Sequence, residues 1–268
     1  AVLKEHPEVK VVCVCHHDTP SGTLNDIDAI GAIVAEAGAL LLVDAVSSWG
    51  GMPTGPSSCQ AGIFVTGPNK CLGCPPALSL VAVSEAAWAK IEASPDAPFA
   101  SMLSFTDWKN AWKKTEPFPF TPSVAELNGL SAALDRYLDE GPEQVWARHA
   151  LTAKICREGI KGMGADLWPA SEDIASPTAT AVKMPEGIDA GPVLKEARAR
   201  YGVSMSAGRA ETLGKLIRIG HMGPTAQPGY ALLAVAAMGG ALKALGAKVD
   251  VSAGLAAAQT AWDAALDN

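Results

Sequence analysis

The sequence predicts an α/β fold, with a mostly parallel central sheet covered by helices and a smaller α+β C-terminal domain. Four short, nearly continuous apolar runs have the length of buried strands: 9–15, 40–43, 63–66 and 78–83. A helical apolar stripe separates the first two runs, which is typical of a β-α-β unit in a covered sheet. The last 120 residues or so alternate short strand-like runs with alanine-rich helical stretches, which favours a second, smaller unit.

The first elements follow in order from local signals. Residues 1–5 resemble the end of a helix, and a turn leads from them into the strand at 9–15. Because a domain rarely begins with a helix stub and a buried strand, we expect an N-terminal part to be missing. After a loop at 19–22, Asn25 is the expected N-cap of an amphipathic helix that Gly38 ends.

An irregular segment follows the predicted strands. Residues 95–122 are rich in Pro and Trp, which in a compact domain indicates a working loop. We expect its tryptophans Trp108 and Trp112, and Trp146 beyond it, to serve packing or subunit contacts.

The remaining elements complete the prediction. We expect helices at 124–138, 142–162 and 193–200, strands at 178–183, 203–206 and 216–219, and alanine-rich helices to the end. A domain change near residue 145 would divide the chain into 1–145, the C-terminal part of a large domain, and 146–268, a small C-terminal domain.

Composition excludes several classes of partner. The net charge is −7, and Lys and Arg form no blocks, so neither nucleic acid nor an anionic membrane surface is an expected partner. The most apolar run, 231–237, is far too short to cross a bilayer. We therefore expect a soluble, cytoplasmic protein.

Six cysteines in a chain of 268 residues favour reduced, mostly buried thiols over a disulfide framework. Cys71 and Cys74 have CxxC spacing, but a structural zinc usually needs a second, well-spaced ligand pair. Cys13 and Cys15 would point to the same face of a strand, buried among valines. We expect no metal site.

Two chemically competent side chains follow successive predicted strands. Asp44 ends the run at 40–43, and Lys70 comes four residues after the run at 63–66. In an open parallel sheet, ligands bind at the carboxyl ends of strands. A lysine amine can form a Schiff base with an aldehyde, and a carboxylate can keep a pyridine nitrogen protonated. The pair therefore points to vitamin B6 chemistry, although Asp44 could be a turn residue and Lys70 a solvated lysine.

Four segments resemble the class V aminotransferases of fold type I: 15–22 (CHHDTPSG), 43–48 (VDAVSS), 66–73 (TGPNKCLG) and 218–223 (RIGHMG). The resemblance runs the whole length of the chain, although the family's chains begin well before Ala1. Within the family it is strongest to transaminases that act on pyridoxamine and pyruvate. The resemblance implies that Lys70 carries the Schiff base and moves the proton, and that Asp44 pairs with the pyridinium nitrogen. It also implies that Thr19 lies beside the ring and that Val46 packs on one ring face.

The resemblance also assigns substrate contacts. Arg218 matches the arginine that binds the substrate carboxylate, and Arg209 is a second candidate cation for that carboxylate. As a strand residue, Arg218 could instead face solvent or join a core ion pair. Thr121 matches a residue that reaches the neighbouring subunit's site. The histidines His16, His17 and His221 are expected as hydrogen-bonded wall residues, not as acids or bases.

One departure from the family pattern concerns the B6 phosphate. Relatives that bind pyridoxal phosphate place a tyrosine about three residues before that threonine, where this chain has Phe118. A phenylalanine cannot donate a hydrogen bond, so an unphosphorylated B6 compound is the expected ligand.

The expected reaction moves the amino group of pyridoxamine to pyruvate and yields pyridoxal and L-alanine. Two alternatives remain open: a pyridoxal 5'-phosphate-dependent serine– or alanine–glyoxylate (or pyruvate) aminotransferase, and an inactive, truncated B6-binding fragment. The resemblance further implies a homodimer or a higher homo-oligomer.

Overall fold

Two hydrophobic cores organise the protein in a computed structural model that describes residues 1–109, 111 and 118–267. The first core lies between the main sheet and a helix and includes Leu41, Val43 and Phe64. The second core is larger and is built mainly by helices, with Ile155, Met238 and other apolar side chains fully buried.

The elements occur in the following order. The first part contains α1 (Val2–Glu5), β1 (Val11–Cys15), β2 (His17–Asp18), β3 (Thr23–Leu24), α2 (Ile27–Glu36), β4 (Leu40–Asp44), β5 (Ile63–Thr66), β6 (Leu80–Val83), α3 (Glu85–Ala93) and α4 (Phe105–Lys109). The second part contains α5 (Val124–Glu140), α6 (Pro142–Gly162), β7 (Ala179–Lys183), α7 (Ala190–Tyr201), β8 (Ser206–Ala207), β9 (Leu216–Gly220), α8 (Pro228–Ala244) and α9 (Val251–Leu266).

The main sheet has the strand order β1-β4-β5-β6 among the described residues. Strands β1, β4 and β5 are parallel, and only β6 runs antiparallel to its neighbour. Cys15, Asp44 and Val65 are register partners across the three parallel strands. The carboxyl ends of β1, β4 and β5 therefore share one edge, as the predicted mostly parallel α/β sheet requires.

The second unit packs helices on one small antiparallel sheet, with strand order β7-β9-β8. Its core lies between this sheet and helices α6, α7, α8 and α9. Helices α6 and α9 approach very closely, since a Cβ on Gly254 would lie 2.8 Å from the carbonyl oxygen of Gly159. Small residues at this crossing explain the alanine- and glycine-rich composition of the C-terminal helices.

Two local expectations were wrong. Asp26, not Asn25, is the N-cap of α2, and its side chain accepts a hydrogen bond from Ala29 N at 3.0 Å. Asn25 instead donates to the carbonyl oxygen of Cys15 at 2.8 Å, which ties the helix entry to β1.

The expectation for the β1 cysteines was also wrong. Cys13 and Cys15 are exposed, whereas Val12 and Val14 pack against the first core. The alternation of a strand placed both cysteines on one face, as expected, but the valines took the core side.

The strand predicted at 203–206 was misplaced, since β8 shares only residue 206 with it; β6 is shorter than the predicted strand at 78–83, and α7 is longer than predicted. The division into domains near residue 145 remains a proposal, which the separate cores favour. Within the described ranges, no helix combines the length and the apolar character needed to cross a membrane.

The predicted packing roles of the tryptophans can be compared with their contacts. The Trp108 ring centroid lies 5.9 Å from that of Phe120, and Trp146 Nε1 donates to the hydroxyl of Tyr137, whereas Trp112 lies outside the described residues.

Candidate active site

Asp44 is half-buried at the carboxyl end of β4, in the middle of the parallel strands. Its Oδ1 accepts a hydrogen bond from Val46 N at 2.9 Å, so the backbone that leaves the strand orients the carboxylate. The Sγ of Cys15 lies 3.7 Å from Oδ2 and donates to it. Burial, and then Asp44, raise the pKa of the Cys15 thiol, which keeps the thiol a donor.

Lys70 lies in a tight turn after β5, the parallel neighbour of β4. Gly73 N donates to the carbonyl oxygen of Lys70 at 3.0 Å, and Cys74 N donates to that of Pro68 at 2.9 Å. These bonds fix the backbone of the turn. The half-buried Lys70 ammonium has no hydrogen-bond or ion-pair partner within 1–109, 111 and 118–267, so it is available to a ligand.

Arg218 extends from β9, the middle strand of the small sheet, towards the loop between β2 and β3. Its Nε and Nη2 donate to the carbonyl oxygen of Ala207 at 3.0 and 2.7 Å, and its Nη1 donates to that of Thr19 at 3.0 Å. Ile217 and Ile219 point the opposite way, into the core. The arginine therefore joins the small sheet to the loop between β2 and β3.

The guanidinium of Arg218 has donors left for a ligand. Of its five N–H groups, three bind carbonyl oxygens, which leaves one on each terminal nitrogen. This pair matches the two oxygens of a carboxylate. Burial, and then the charge of Arg209, lower the pKa of Arg218 from its ordinary value. The two cations are therefore close enough to repel each other, and an anion bound near both would be stabilised.

Three buried histidines lie around this edge, each with its ring in a hydrogen bond. His16 Nδ1 lies 3.0 Å from Ser48 Oγ, and His221 Nε2 lies 2.9 Å from Thr180 Oγ1. His17 Nδ1 lies 3.1 Å from the carbonyl oxygen of Ser47. Burial lowers the pKa of all three, to about 4 for His17 and about 3 for His221. Neutral, hydrogen-bonded rings are typical of wall residues, as the sequence suggested.

The turn after β9 packs directly on the Lys70 turn. A Cβ on Gly223 would lie 2.7 Å from the carbonyl oxygen of Cys71 and 3.1 Å from that of Lys70. Gly223 also has φ of +56°, which favours glycine. The strand that carries Arg218 therefore ends in contact with the turn that carries Lys70.

The structure groups most of the residues selected from sequence. Asp44, Val46 and Lys70 follow neighbouring strands of one sheet edge, and Thr19 meets Arg218 through its backbone. Arg209 is exposed, and its charge acts on Arg218.

Thr121 is exposed in the loop before α5, where the structure gives it no role in this site. Phe118, the residue at the tyrosine position of relatives, is 38% exposed.

Sequence reasoning missed two contributors. Cys15 was expected only as a thiol buried among valines, but it is exposed and its thiol contacts Asp44. His149 was not selected at all, yet it accepts a hydrogen bond from Gly223 N at 3.0 Å. The available signal was its place on the buried face of α6, at helical spacing from Val145 and Cys156.

The donor set fits a small pyridine that carries an aldehyde or an aminomethyl group. It supplies a free amine and an oriented carboxylate at one sheet edge, together with an arginine fork for a carboxylate.

Comparisons with known proteins agree with this geometry. The aminotransferase class-V family profile matches residues 3–223. Pyridoxamine–pyruvate transaminase from Mesorhizobium japonicum is 63% identical over 98% of this chain and 67% of its own length. Serine–glyoxylate aminotransferase from Methylorubrum extorquens is 34% identical over 96% of this chain and 64% of its own length.

Among solved structures, pyridoxamine–pyruvate aminotransferase from Mesorhizobium loti superposes with a TM-score of 0.96 at 63% identity, over 98% of this chain and 67% of that one. The chain thus spans about two thirds of the length of the curated relatives that it matches.

Proposed function

The chain belongs to the class-V aminotransferase family, and from this premise we propose that it transfers the amino group of pyridoxamine to pyruvate, giving pyridoxal and L-alanine. The similarity to pyridoxamine–pyruvate transaminase, at 63% identity over 98% of the chain, supports this substrate pair. The observation that carries the proposal is the pair Asp44 and Lys70 at the ends of neighbouring parallel strands.

Lys70 and Asp44 have complementary roles in this proposal. A bound B6 compound supplies an electron-accepting ring that stabilises negative charge on the substrate carbon. Lys70 Nζ would hold the pyridoxal aldehyde carbon as a Schiff base, with the aldehyde oxygen leaving as water, and its amine would accept and return the proton that moves between the two reacting carbons. Asp44, whose Oδ1 is held by Val46 N and whose Oδ2 accepts from the Cys15 thiol, would pair with the ring nitrogen and keep it protonated.

Arg218 and Arg209 bind the carboxylate of pyruvate or alanine in the proposal. The carbonyl oxygens of Ala207 and Thr19 fix the orientation of the Arg218 guanidinium. Its two remaining N–H groups are offered to the two carboxylate oxygens. Arg209, which is exposed beside it, adds positive charge at the entrance. Thr19 and Val46 line the ring site.

The B6 compound in this proposal is unphosphorylated and acts as a substrate. Phe118 stands where phosphate-binding relatives have a tyrosine, and its ring cannot donate to a phosphate. The second candidate is a pyridoxal 5'-phosphate-dependent serine– or alanine–glyoxylate aminotransferase, which the 34% identity to serine–glyoxylate aminotransferase favours. A titration that compares pyridoxal with its phosphate separates the two, because a strong preference for the phosphate supports the second candidate.

The assembly and location complete the proposal. We expect a homodimer or a higher homo-oligomer in which Thr121 serves the neighbouring subunit's site, and a cytoplasmic location. Sedimentation of the purified protein tests the first expectation, and a monomer at micromolar concentration would contradict it.

The decisive assay measures L-alanine formed from pyridoxamine and pyruvate. Lys70→Ala should abolish alanine formation, whereas Lys90→Ala, which removes an exposed lysine of α3, should retain it. Equal activity of the Lys70 variant and the unmodified chain would refute the proposed role of Lys70. A well-folded chain that binds pyridoxal but forms no alanine would instead support the alternative of an inactive B6-binding fragment.

A further inference from the structure

His149 is a fully buried histidine of α6 with both ring nitrogens engaged. Nδ1 lies 2.7 Å from the carbonyl oxygen of Val145, which can only accept. Nε2 lies 3.0 Å from Gly223 N, which can only donate. These partners define one state of the ring, neutral with the proton on Nδ1 and the Nε2 lone pair directed at Gly223.

Gly223 is held from three sides. Its N–H is bound by His149, and its carbonyl oxygen accepts from Arg148 Nη1 at 2.9 Å. Its Cα packs so tightly on the Lys70–Cys71 peptides that a Cβ would lie 2.7 Å from the Cys71 carbonyl oxygen. Glu140 pairs with Arg148 through both carboxylate oxygens, at 2.6 and 3.0 Å, and fixes the arginine in turn.

His149 also touches the loop that follows Asp44. A Cβ on Gly51 would lie 3.1 Å from His149 Cδ2 and 2.8 Å from the Sγ of Cys71. The ring therefore stands where three segments meet: the loop after β4, the turn that carries Lys70 and the turn after β9.

We propose that His149 is a positioning residue, which holds the Gly223 turn against the peptides of Lys70 and Cys71 and so fixes where the Lys70 amine lies. The functional consequence rests on the proposed function, since it concerns the reaction of Lys70 with a B6 aldehyde. His149 does not take part in proton transfer, because both of its nitrogens are bound to the protein backbone.

Two substitutions of His149 separate its hydrogen bond to Gly223 from the volume that its ring fills. In His149→Gln the side-chain oxygen can still accept from Gly223 N. In His149→Leu the pocket is filled, but Gly223 N loses its acceptor, whereas the Val145 carbonyl oxygen keeps its backbone bond within α6. His6→Leu, which changes an exposed histidine, is the control.

Hydrogen–deuterium exchange of the chain reports directly on the two turns. His149→Leu should exchange about tenfold faster in segments 69–74 and 220–226, the change expected for a lost hydrogen bond. His149→Gln and His6→Leu should match the unmodified chain. Unchanged exchange in both segments of His149→Leu would overturn the proposal.

Borohydride trapping of pyridoxal on Lys70, measured by peptide mass, links the turns to the chemistry. The rate should fall about tenfold or more in His149→Leu and recover in His149→Gln, since small misplacements of a reacting group are costly. Equal trapping in all variants, with faster exchange, would overturn the positioning of Lys70. Absence of trapping in the unmodified chain would refute the proposed function, whereas exchange would still decide whether His149 holds the turns.

The unmodified protein provides a further test that does not depend on the folding of a variant. The ¹⁵N shifts of the His149 ring should show Nδ1 protonated and Nε2 unprotonated at neutral pH. A ring with its proton on Nε2 cannot accept from Gly223 N, and that result would overturn the proposal.

Discussion

Acidification should destabilise the fold through His17, because its buried ring is costly to protonate. The ring is 4% exposed, and its Nε2 has no hydrogen-bond partner among the described residues. Protonation would therefore place an N–H and a positive charge where no acceptor is available. Burial, opposed by the hydrogen bond to the Ser47 carbonyl oxygen, lowers the pKa of His17 from 6.5 to about 4.

The magnitude follows from the two pKa values. Because the folded pKa is the lower one, the unfolded chain binds more protons between pH 6.5 and pH 4, and stability is lost as the pH falls through that range. The full difference is worth about 3 kcal/mol, of which about 2 kcal/mol is lost by pH 5. Below pH 4 this residue adds no further loss.

Urea unfolding at pH 7.5 and pH 5 measures the effect. His17→Asn is the matched variant, because its amide nitrogen can donate to Ser47 in place of Nδ1 but does not titrate. The unmodified chain should lose about 2 kcal/mol more free energy of unfolding than His17→Asn between the two pH values. Equal losses in the two proteins would refute the reasoning, because they would show that the His17 ring is protonated as easily in the folded chain as in the unfolded one.

Three further predictions address the site and the core. Arg218→Lys should raise the KM for pyruvate about tenfold or more, with little change in pyridoxal binding, because an ammonium cannot replace the planar fork; steady-state kinetics with an unchanged KM would contradict this. Asp44→Asn should keep the acceptor for Val46 N and retain pyridoxal binding, but lower kcat about a hundredfold as the negative charge is lost; an unchanged kcat would count against the carboxylate. Leu242→Ala, at a fully buried position of α8, should lower the free energy of unfolding by about 2–5 kcal/mol, whereas Leu245→Ala, at a 39% exposed position, should cost far less.

The parallel strands and their functional ends were predictable because the signals are local. Residues 40–43 and 63–65 are apolar throughout, as buried strands of a covered sheet are; Asp44 directly follows the first run, and Lys70 lies in the turn after the second. Because each of the two side chains follows a predicted strand, Asp44 and Lys70 could both be placed at the carboxyl edge of the sheet.

Other features could not be predicted because several residues satisfied the same local rule. Asn25 and Asp26 are both good N-caps, and only the approach of β1 decides between them. In strand β1, cysteines and valines are both apolar, so alternation alone does not say which set faces the core. The antiparallel direction of β6 likewise depends on its connection to β5 and not on its own residues.

The contacts of His149 depend on residues that are distant in the chain. Gly223 lies 74 positions away, and no helical or strand repeat in the sequence relates it to His149. Such contacts arise when the small sheet is packed against the turn that follows β5, which is a tertiary event.

The most direct test of the account is a crystal structure of the protein after pyridoxal has been fixed by borohydride. The account predicts the pyridoxal carbon bonded to Lys70 Nζ and the ring nitrogen at hydrogen-bond distance, about 2.7–3.0 Å, from a carboxylate oxygen of Asp44. A ring attached to another lysine, or one whose nitrogen points away from Asp44, would contradict it.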